Sequence, residues 1–468
     1  MPIEFITPCD LAPLRSAIES NAARLAEIER RLDAMEPTPE PEPEPEPTPE
    51  PEPEPAPIGN TYAGAEGYAR NAVGGRVDGT VTLVVNRYDD PLFTREDMLA
   101  NQYTPGTLRW AMYYEGPKLI KFADPCVIRL IAPIQPLKIE AAANFTFNET
   151  RQPVTVIGEV RMQVCGESVW LNSRFRAALW NNGYRPLPFQ GSPQASGDSL
   201  HIENPTGKTL VMNCEFSGSA DELFNVKYAQ NDVTIQDCLF YEAFKNGDFG
   251  KVWGDEGGHN YGALLTAKNE GTFGLSFIRN GYLNLGKRCP TEVYSLPTNP
   301  RFKRLVMVNC LCYNWRNPCG SFEGTDPTVM AGCHFETGPS TVVSALGYMT
   351  NGYIVDSVIK TPAGEFDRAN TTTATNPYFI RNFSTGAFST VLGTSLPAEL
   401  AEEISVTPMP RLEGINHVLN NAGVFPLDNV SRANRDSFIN KTGWQGAHPN
   451  YASGDLEAYL TWATGVAS

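Results

Sequence analysis

Short apolar runs separated by Gly, Asn and Pro fill the chain from about residue 61 onward, and this pattern predicts many short strands and turns. A six-residue frame recurs among them: an apolar residue, any residue, usually Asn or Asp, a small residue, any residue, and a second apolar residue. Its copies begin at Val211, Ile235, Ile278, Met307, Met330 and Ile354. The steps between the Asn/Asp positions are 24, 43, 29, 23 and 24 residues, and Gly332 stands in that position in the fifth copy. Periods in the low twenties with loop insertions predict a solenoid.

The spacing and residue types of the frame have a physical reason. Its two apolar residues lie five positions apart, so strict strand alternation would put them on opposite faces, and a bend between them is needed. Asn and Asp tolerate bent backbone, and a small Cys, Gly or Ser fits where successive coils stack closely. We therefore predict a parallel β-helix. The alternative is a β-sandwich with accidental similarity between the copies.

Residues 11–35 show a different pattern, with apolar residues in steps of three and four. These steps place Leu11, Leu14, Ile18, Leu25, Ile28, Leu32 and Met35, together with the polar Asn21, at heptad a and d positions. Leu at a with Ile at d favours three or four strands over two, and Asn21 would fix the register. We predict that residues 1–36 form an attachment segment and a coiled coil that makes a homotrimer. The alternative is one amphipathic helix packed on its own domain.

Residues 37–58 form a linker rich in Pro and Glu. Alternating proline favours extended polyproline II, so this spacer could reach roughly 65 Å at about 3.1 Å per residue. Residues 59–468 then form the β-helix domain. A trimerising stalk, a stiff spacer and a large domain together predict an attached appendage.

The amino-acid composition of the chain excludes some classes of function. Gly 40 and Pro 38 with only 19% charged residues fit a turn-rich protein. The net charge of −16, to which eight glutamates in residues 36–54 contribute, argues against nucleic-acid binding. No run approaches the roughly 20 apolar residues of a membrane span, and the first residues lack the features of a signal peptide. Ten cysteines without CxxC spacing predict mostly buried free thiols, with structural disulfides as the alternative.

Residues between 198 and 288 suggest a chemistry. Asp198, Asp221 and Asn225 offer oxygen ligands for a hard cation, and Lys245 and Arg288 add two cationic side chains. This combination suits proton abstraction beside a sugar carboxylate, because the cations would hold the developing charge. In the alternative interpretation, the aspartates cap turns and the cations are ordinary loop residues.

At this point the sequence resembles the pectate lyase family of polysaccharide lyases. The resemblance covers roughly residues 61–445. It rests on the order of the short motifs Gly64–Ala69, Gly74–Arg76, Pro105–Ala111, Val154–Gly158 and Val418–Gly423. It implies a right-handed parallel β-helix, an all-β fold.

The resemblance also implies roles for single residues. Asp198, Asp221 and Asn225 match calcium ligands, Lys245 matches a substrate-binding lysine, and Arg288 matches the catalytic base. Three positions depart from the family: Asn225 replaces a carboxylate, Val293 replaces a second arginine, and Ser196 replaces an acidic residue. An amide oxygen brings no charge, so we expect calcium to bind weakly.

Aromatic residues flank these positions. Tyr241 and Trp253, with Phe244 and Tyr261 nearby, are candidates for stacking on sugar rings. A core or loop-anchoring role is the alternative.

Together these features predict a polysaccharide lyase that cleaves an acidic, uronate-containing polysaccharide by calcium-assisted β-elimination. The layout predicts a tailspike on a virion, attached through its N-terminus to a tail or baseplate protein, or otherwise an extracellular location. We expect no nucleic-acid or membrane partner. The alternative is a β-helix that has lost efficient chemistry and serves as a polysaccharide receptor or structural virion protein.

Overall fold

The computed structural model describes residues 62–87, 104–130, 137–176, 198–219, 222–241, 261–291, 300–316, 320–322, 324–341, 347–349, 352–362, 364–366, 391–393 and 395–442. All of them fall within the unit Pro55–Ser468. The predicted coiled coil of residues 11–35 and the linker of residues 37–58 lie outside the described residues.

Three long sheets dominate the described chain. Sheet A contains β1 (Val81–Val85), β2 (Lys118–Phe122), β5 (Phe145–Phe147), β8 (Ser168–Leu171), β11 (Thr209–Met212), β14 (Val233–Gln236), β17 (Gly274–Ile278), β19 (Arg304–Val308), β22 (Thr328–Ala331), β25 (Gly352–Val355) and β28 (Val391–Gly393). Sheet B contains β3 (Cys126–Arg129), β6 (Val154–Ile157), β9 (Ser173–Arg176), β12 (Glu215–Ser217), β15 (Leu239–Tyr241), β18 (Gly281–Leu283), β20 (Leu311–Tyr313), β23 (His334–Glu336), β26 (Val358–Thr361) and β27 (Gly364–Phe366). Sheet C contains β4 (Leu137–Ile139), β7 (Val160–Met162), β10 (Leu200–Glu203), β13 (Glu222–Ala229) and β16 (Tyr261–Ala267). A separate pair joins β21 (Gly320–Phe322) to β24 (Gly347–Met349).

The chain visits the sheets in turn, from A to B to C and back to A. Each strand pairs with the equivalent strand of the next coil, as in the row Val211, Ile235, Phe277 and Met307. Among the described pairings, β26 with β27 is antiparallel and the others are parallel. This topology is a parallel β-helix, as predicted, and it excludes the β-sandwich, which is built from antiparallel sheets.

The bend inside the repeated frame lies at the predicted positions in most copies. Asn213, Asp237, Asn309 and Asp356 have φ of 52°, 53°, 51° and 42°, so each takes the left-handed conformation between a sheet A strand and a sheet B strand. Asn and Asp adopt this conformation more readily than other side chains.

The third copy of the frame was placed one residue too late. The structure aligns Phe277, rather than Ile278, with Ile235 and Met307. Arg279 therefore takes the left-handed position, with φ of 51°. The side chain of Asn280 takes the place of the cysteine found in four of the other copies, and it accepts from the Cys238 N–H at 2.9 Å.

Side chains at equivalent positions of successive coils stack on one another and fill the interior. Phe175, Phe216, Phe240 and Tyr282 follow one another with ring centroids 4.8–5.7 Å apart. Beside them, small thiols line the bends, and the Cys214 N–H donates to the Cys238 sulfur at 3.4 Å. All eight cysteines of the described ranges are free and seven are buried, which confirms the predicted thiols there.

Four described helices cover parts of the coils: α1 (Leu108–Tyr113), α2 (Ala398–Ile404), α3 (Arg411–Asn421) and α4 (Asn429–Asn440). Leu400 and Ile404 of α2 pack on the outer side of sheet A. Val418 of α3 and Phe438 of α4 pack on the outer side of sheet B. None of the helices in the described ranges has the length and apolarity that crossing a membrane requires.

Candidate functional site

Three of the described residues that the sequence predicted for the site lie on or beside sheet C: Asn225 on β13, Asp198 just before β10, and Arg288 in a turn next to β16. Leu200, Phe224 and Ala263 pair in one row and belong to the buried core. The next row, His201, Asn225 and Leu264, therefore points to the opposite side of the sheet, because side chains alternate along a strand.

Asp198 lies just before β10 and organises this region. It is fully buried. Its Oδ1 accepts from the Glu222 N–H at 3.0 Å, and its Oδ2 accepts from the Asn225 amide at 3.1 Å. The same Oδ2 lies 2.6 Å from Nδ1 of His201. Two of the three predicted calcium ligands, Asp198 and Asn225, are thus in contact, while Asp221 lies outside the described residues.

Asn225 leaves one polar atom unsatisfied. Its side chain is fully buried, and its Oδ1 has no hydrogen-bond partner among the described residues. Buried polar atoms are nearly always paired, and Nε2 of His201 is in the same position among the described residues. The Asn225 oxygen could accept from an additional donor or bind a cation.

His201 is a member of this cluster that the sequence prediction missed. Burial lowers its pKa, but the hydrogen bond with Asp198 and the nearby Glu203 outweigh burial and raise the pKa above its ordinary value. Nε2 of His201 is 3.7 Å from Glu203, which also pairs with Arg161 at 3.3 Å. These neighbours, His201 first, lower the pKa of Glu203 to about 2.

The described residues do not by themselves fit calcium. Calcium takes about six to eight oxygen ligands. Asn225 Oδ1 could supply one, but both oxygens of Asp198 already accept from Glu222, Asn225 and His201. Among the described residues there is no group of three or more His, Cys, Asp or Glu arranged to hold a metal. The predicted calcium site therefore still depends on Asp221.

Arg288 is held by a tight turn against β16. Its φ is 63°, a left-handed conformation that is uncommon for a non-glycine residue. Its carbonyl accepts from the Ala263 N–H at 2.8 Å. A Cβ on Gly262 would lie 2.3 Å from that carbonyl oxygen, so only glycine permits this approach.

The Arg288 side chain is almost buried and has two neighbours on sheet C. Its Nη1 forms an ion pair with Oε1 of Glu222, the first residue of β13. Its guanidinium lies over the Tyr261 ring, 4.1 Å from the centroid. Tyr261 is only 5% exposed, so it contacts this guanidinium and offers little face for stacking on sugar. Glu222 was also missed by the sequence prediction.

Tyr241 does not lie where the sequence prediction put it. It belongs to β15 in sheet B, is fully buried, and donates to Glu215 at 2.5 Å. Its hydroxyl is also 2.9 Å from Ser431 of α4. The structure thus gives Tyr241 no exposed face for a sugar ring. Lys245, Trp253 and Val293 lie outside the described residues.

The cluster of Asp198 and Asn225 lies at β13, and the Arg288 guanidinium contacts the first residues of β13 and of the neighbouring strand β16. Glu222 and Asn225 are three residues apart on β13, or about 10 Å along the strand. A fixed cation can stabilise negative charge that develops on a ligand bound beside it.

No family model matches the chain. It is 24% identical over 306 residues to a protein named "Probable pectate lyase C" from Emericella nidulans, covering 62% of this chain and 58% of that protein. The chain therefore spans less than two thirds of this relative's length. The sequence similarity points to pectate lyases, at low identity.

Two solved structures are also similar. One is jun a 1, the major allergen from cedar pollen, with a TM-score of 0.47 and 14% identity, covering 77% of this chain and 92% of that chain. The other is pectate lyase Bsp165PelA from Bacillus sp. N165 in complex with trigalacturonate, with a TM-score of 0.45 and 11% identity, covering 77% of this chain and 99% of that one.

Proposed function

We propose that this protein is a polysaccharide lyase that cleaves an acidic, uronate-containing polysaccharide by β-elimination. The observation that carries the proposal is the Arg288 guanidinium, held against Glu222 and Tyr261 on the sheet that also carries the Asp198–Asn225 contact. The similarity to a probable pectate lyase supports the same reaction class.

The reaction would begin at C5 of a uronate, where the proton is α to the carboxylate. Arg288 would remove this proton. The C5–H electrons then form the C4–C5 double bond, the C4–O bond breaks, and the leaving oxygen takes up a proton. Because arginine is almost always protonated, we expect the rate to rise toward alkaline pH.

Negative charge develops on the uronate carboxylate during proton loss, and a fixed cation would stabilise it. Lys245 is proposed for this role from the sequence. Calcium would neutralise the same carboxylate if it bound, but the described donors do not by themselves fit it.

A second function is a polysaccharide-binding β-helix without efficient chemistry. The ion pair of Arg288 with Glu222 favours it, because a paired guanidinium is harder to deprotonate. The substitutions at Asn225 and Val293 favour it too, since each removes a charge that the resemblance implies.

One experiment separates the two functions. The protein is incubated with polygalacturonate and a panel of acidic exopolysaccharides, with calcium or with chelator, and ultraviolet absorbance of unsaturated uronate products is followed. Product formation that depends on Arg288 supports the lyase. Tight polysaccharide binding without product on any substrate would favour the binding protein.

We further propose that the lyase is displayed on a virion tail as a homotrimer. The support is the sequence of residues 1–58, with its heptads followed by a stiff linker. Sedimentation of the full chain and of a chain lacking residues 1–58 tests this proposal. A trimer that becomes a monomer after the deletion is expected, and a full chain that sediments as a monomer would contradict it.

A further inference from the structure

The Arg288 guanidinium occupies a slot with two walls. One wall is the carboxylate of Glu222 and the other is the ring of Tyr261. Glu222 is 3% exposed and Tyr261 is 5% exposed, so solvent screens these contacts little. Nothing in the sequence or in its resemblance to a family assigns a role to Glu222.

The walls of the slot are fixed by backbone contacts and do not depend on the arginine side chain. Glu222 pairs in register with Tyr261 at the start of β13 and β16. The Glu222 N–H donates to Asp198 at 3.0 Å. The turn that carries residue 288 is held by the Ala263 N–H at 2.8 Å. Removal of the Arg288 side chain should therefore leave the walls standing.

A carboxylate beside an aromatic face suits a guanidinium better than an ammonium. The planar guanidinium can stack on the ring while its N–H groups point at the carboxylate. An ammonium is compact and strongly hydrated. It can lie over a ring, as Nζ of Lys287 does 4.3 Å from the Tyr261 centroid, but it lacks the planar fork that reaches a carboxylate at the same time. The slot is thus matched to the chemical group that it holds.

We propose that Glu222 is a positioning residue, which holds the guanidinium at position 288 in the single orientation that the reaction uses. The catalytic part of this proposal rests on the proposed lyase function. The binding part stands alone, because it predicts that the slot binds guanidinium whether or not the protein is a lyase.

Chemical rescue tests both parts. Arg288→Ala empties the slot, and low-millimolar guanidinium chloride is added to it and to the double variant Arg288→Ala/Glu222→Gln. Binding is followed by the NMR line width of ¹³C-guanidinium, and elimination by product absorbance. We expect guanidinium to bind Arg288→Ala and restore part of its activity. Binding should be about 10- to 100-fold weaker without the Glu222 charge, and rescue should be lost with it.

The chain offers a matched control. Arg76 also lies over a tyrosine ring, 3.9 Å from the Tyr62 centroid, and pairs with Glu149 at 2.6 Å. Glu149→Gln in the Arg288→Ala background removes an equivalent carboxylate elsewhere and should leave guanidinium binding and rescue unchanged. Methylammonium chloride is the control ligand and should restore little activity.

Guanidinium binding that is indifferent to Glu222→Gln, or equal rescue by methylammonium, would overturn the proposal. If the parent protein forms no product, the proposed lyase function is wrong. Guanidinium binding alone then tests whether Glu222 holds a guanidinium in the slot. Should Arg288→Ala not fold, Glu222→Gln in the parent chain provides the second measurement. There kcat should fall about tenfold with KM unchanged, and an unchanged kcat would contradict positioning.

Discussion

Sheet B and sheet C each bear a buried cluster of charged and hydrogen-bonding side chains, but the two clusters differ in how fully their polar atoms are paired. The sheet B cluster consists of Arg174, Glu215, Tyr241, Asp428 and Ser431. The sheet C cluster consists of Asp198, His201, Glu222, Asn225 and Arg288.

In the sheet B cluster, both carboxylate oxygens of Glu215 are used. Oε1 accepts from the Val424 N–H at 2.9 Å. Oε2 accepts from Arg174, Tyr241 and Ser431 at 3.1, 2.5 and 2.6 Å. These donors come from sheet B and from the C-terminal segment that carries α4. The cluster therefore joins that segment to the coils.

In the sheet C cluster, Asn225 Oδ1 has no partner within the described part of the chain, although it is fully buried. Arg288 adopts a left-handed backbone, which costs energy and tends to persist at functional sites. Both oxygens of the Glu215 carboxylate are thus paired, as is typical of a structural joint, whereas an unpaired buried oxygen beside a residue in a left-handed conformation is typical of a site. The comparison thus places the candidate chemistry on sheet C.

The largest expected change in stability comes from Glu215→Gln. Loss of the charge leaves buried Arg174 with Asp428, at 3.5 Å, as its remaining carboxylate, and we expect the free energy of unfolding to fall by about 3 kcal/mol. Urea unfolding measures the change, and elimination by the folded protein should persist. Glu413→Gln on the exposed side of α3 is the control. A change no larger than that of the control would contradict the role of Glu215.

Gly262→Ala should cause the next largest fall in the free energy of unfolding. Its Cβ would lie 2.3 Å from the Arg288 carbonyl, so the turn must move. We expect the free energy of unfolding to fall by about 1–3 kcal/mol, and the elimination rate to fall as well. Gly324→Ala, whose Cβ would meet atoms no closer than 3.2 Å, is the control. Normal activity in Gly262→Ala would show that the Arg288 turn need not be fixed.

The variant Asn225→Asp tests the prediction that calcium binds beside residue 225. It places a second carboxylate beside that of Asp198, whose oxygen is now 3.1 Å from the Asn225 amide. In chelator, repulsion should lower the free energy of unfolding by roughly 1–2 kcal/mol. Added calcium should then raise the melting temperature of this variant more than that of the parent. Asn213→Asp on the opposite bend makes the same charge change, and an equal calcium response in both variants would argue against a cation site at residue 225.

The smallest expected change in stability is that of Glu336→Gln, at a residue of sheet B. Burial raises its pKa, but His334, Lys441 and Lys360 outweigh burial and lower the pKa to about 2 from 4.5. A lowered pKa means that Glu336 stabilises the fold above pH 4.5 and that this contribution is lost as the pH falls toward 2. Glu336→Gln should therefore be less stable than the parent at pH 7, and the two should converge in acid. Parallel stability curves across that range would refute this assignment.

Much of the fold could be predicted from the sequence because the repeated frame records a local requirement. Asn213, Asp237 and Asn309 mark bends, and the apolar residues around them mark the strands. The third copy failed because Ile278 is also apolar and Asn280 also resembles a bend residue. Only pairing with the neighbouring coils shows that Arg279 forms the bend.

The candidate site was less predictable. Asp198 and Asn225, which the sequence grouped as cation ligands, are in contact. Glu222 and His201 were missed because their roles arise from the register between strands, which no local pattern records. Tyr241 was misplaced for the same reason, since sheet membership decides which side of the coils a residue faces.

The most direct test of the sheet C account is the rate of unsaturated uronate formation by Arg288→Ala, measured beside Arg76→Ala. Both variants remove an arginine that lies over a tyrosine ring and pairs with a glutamate, but only Arg288 contacts residues of sheet C in this way. The account predicts a loss of about 100-fold or more for Arg288→Ala and a near-normal rate for folded Arg76→Ala. A folded Arg288→Ala protein that forms product at the parent rate would contradict it.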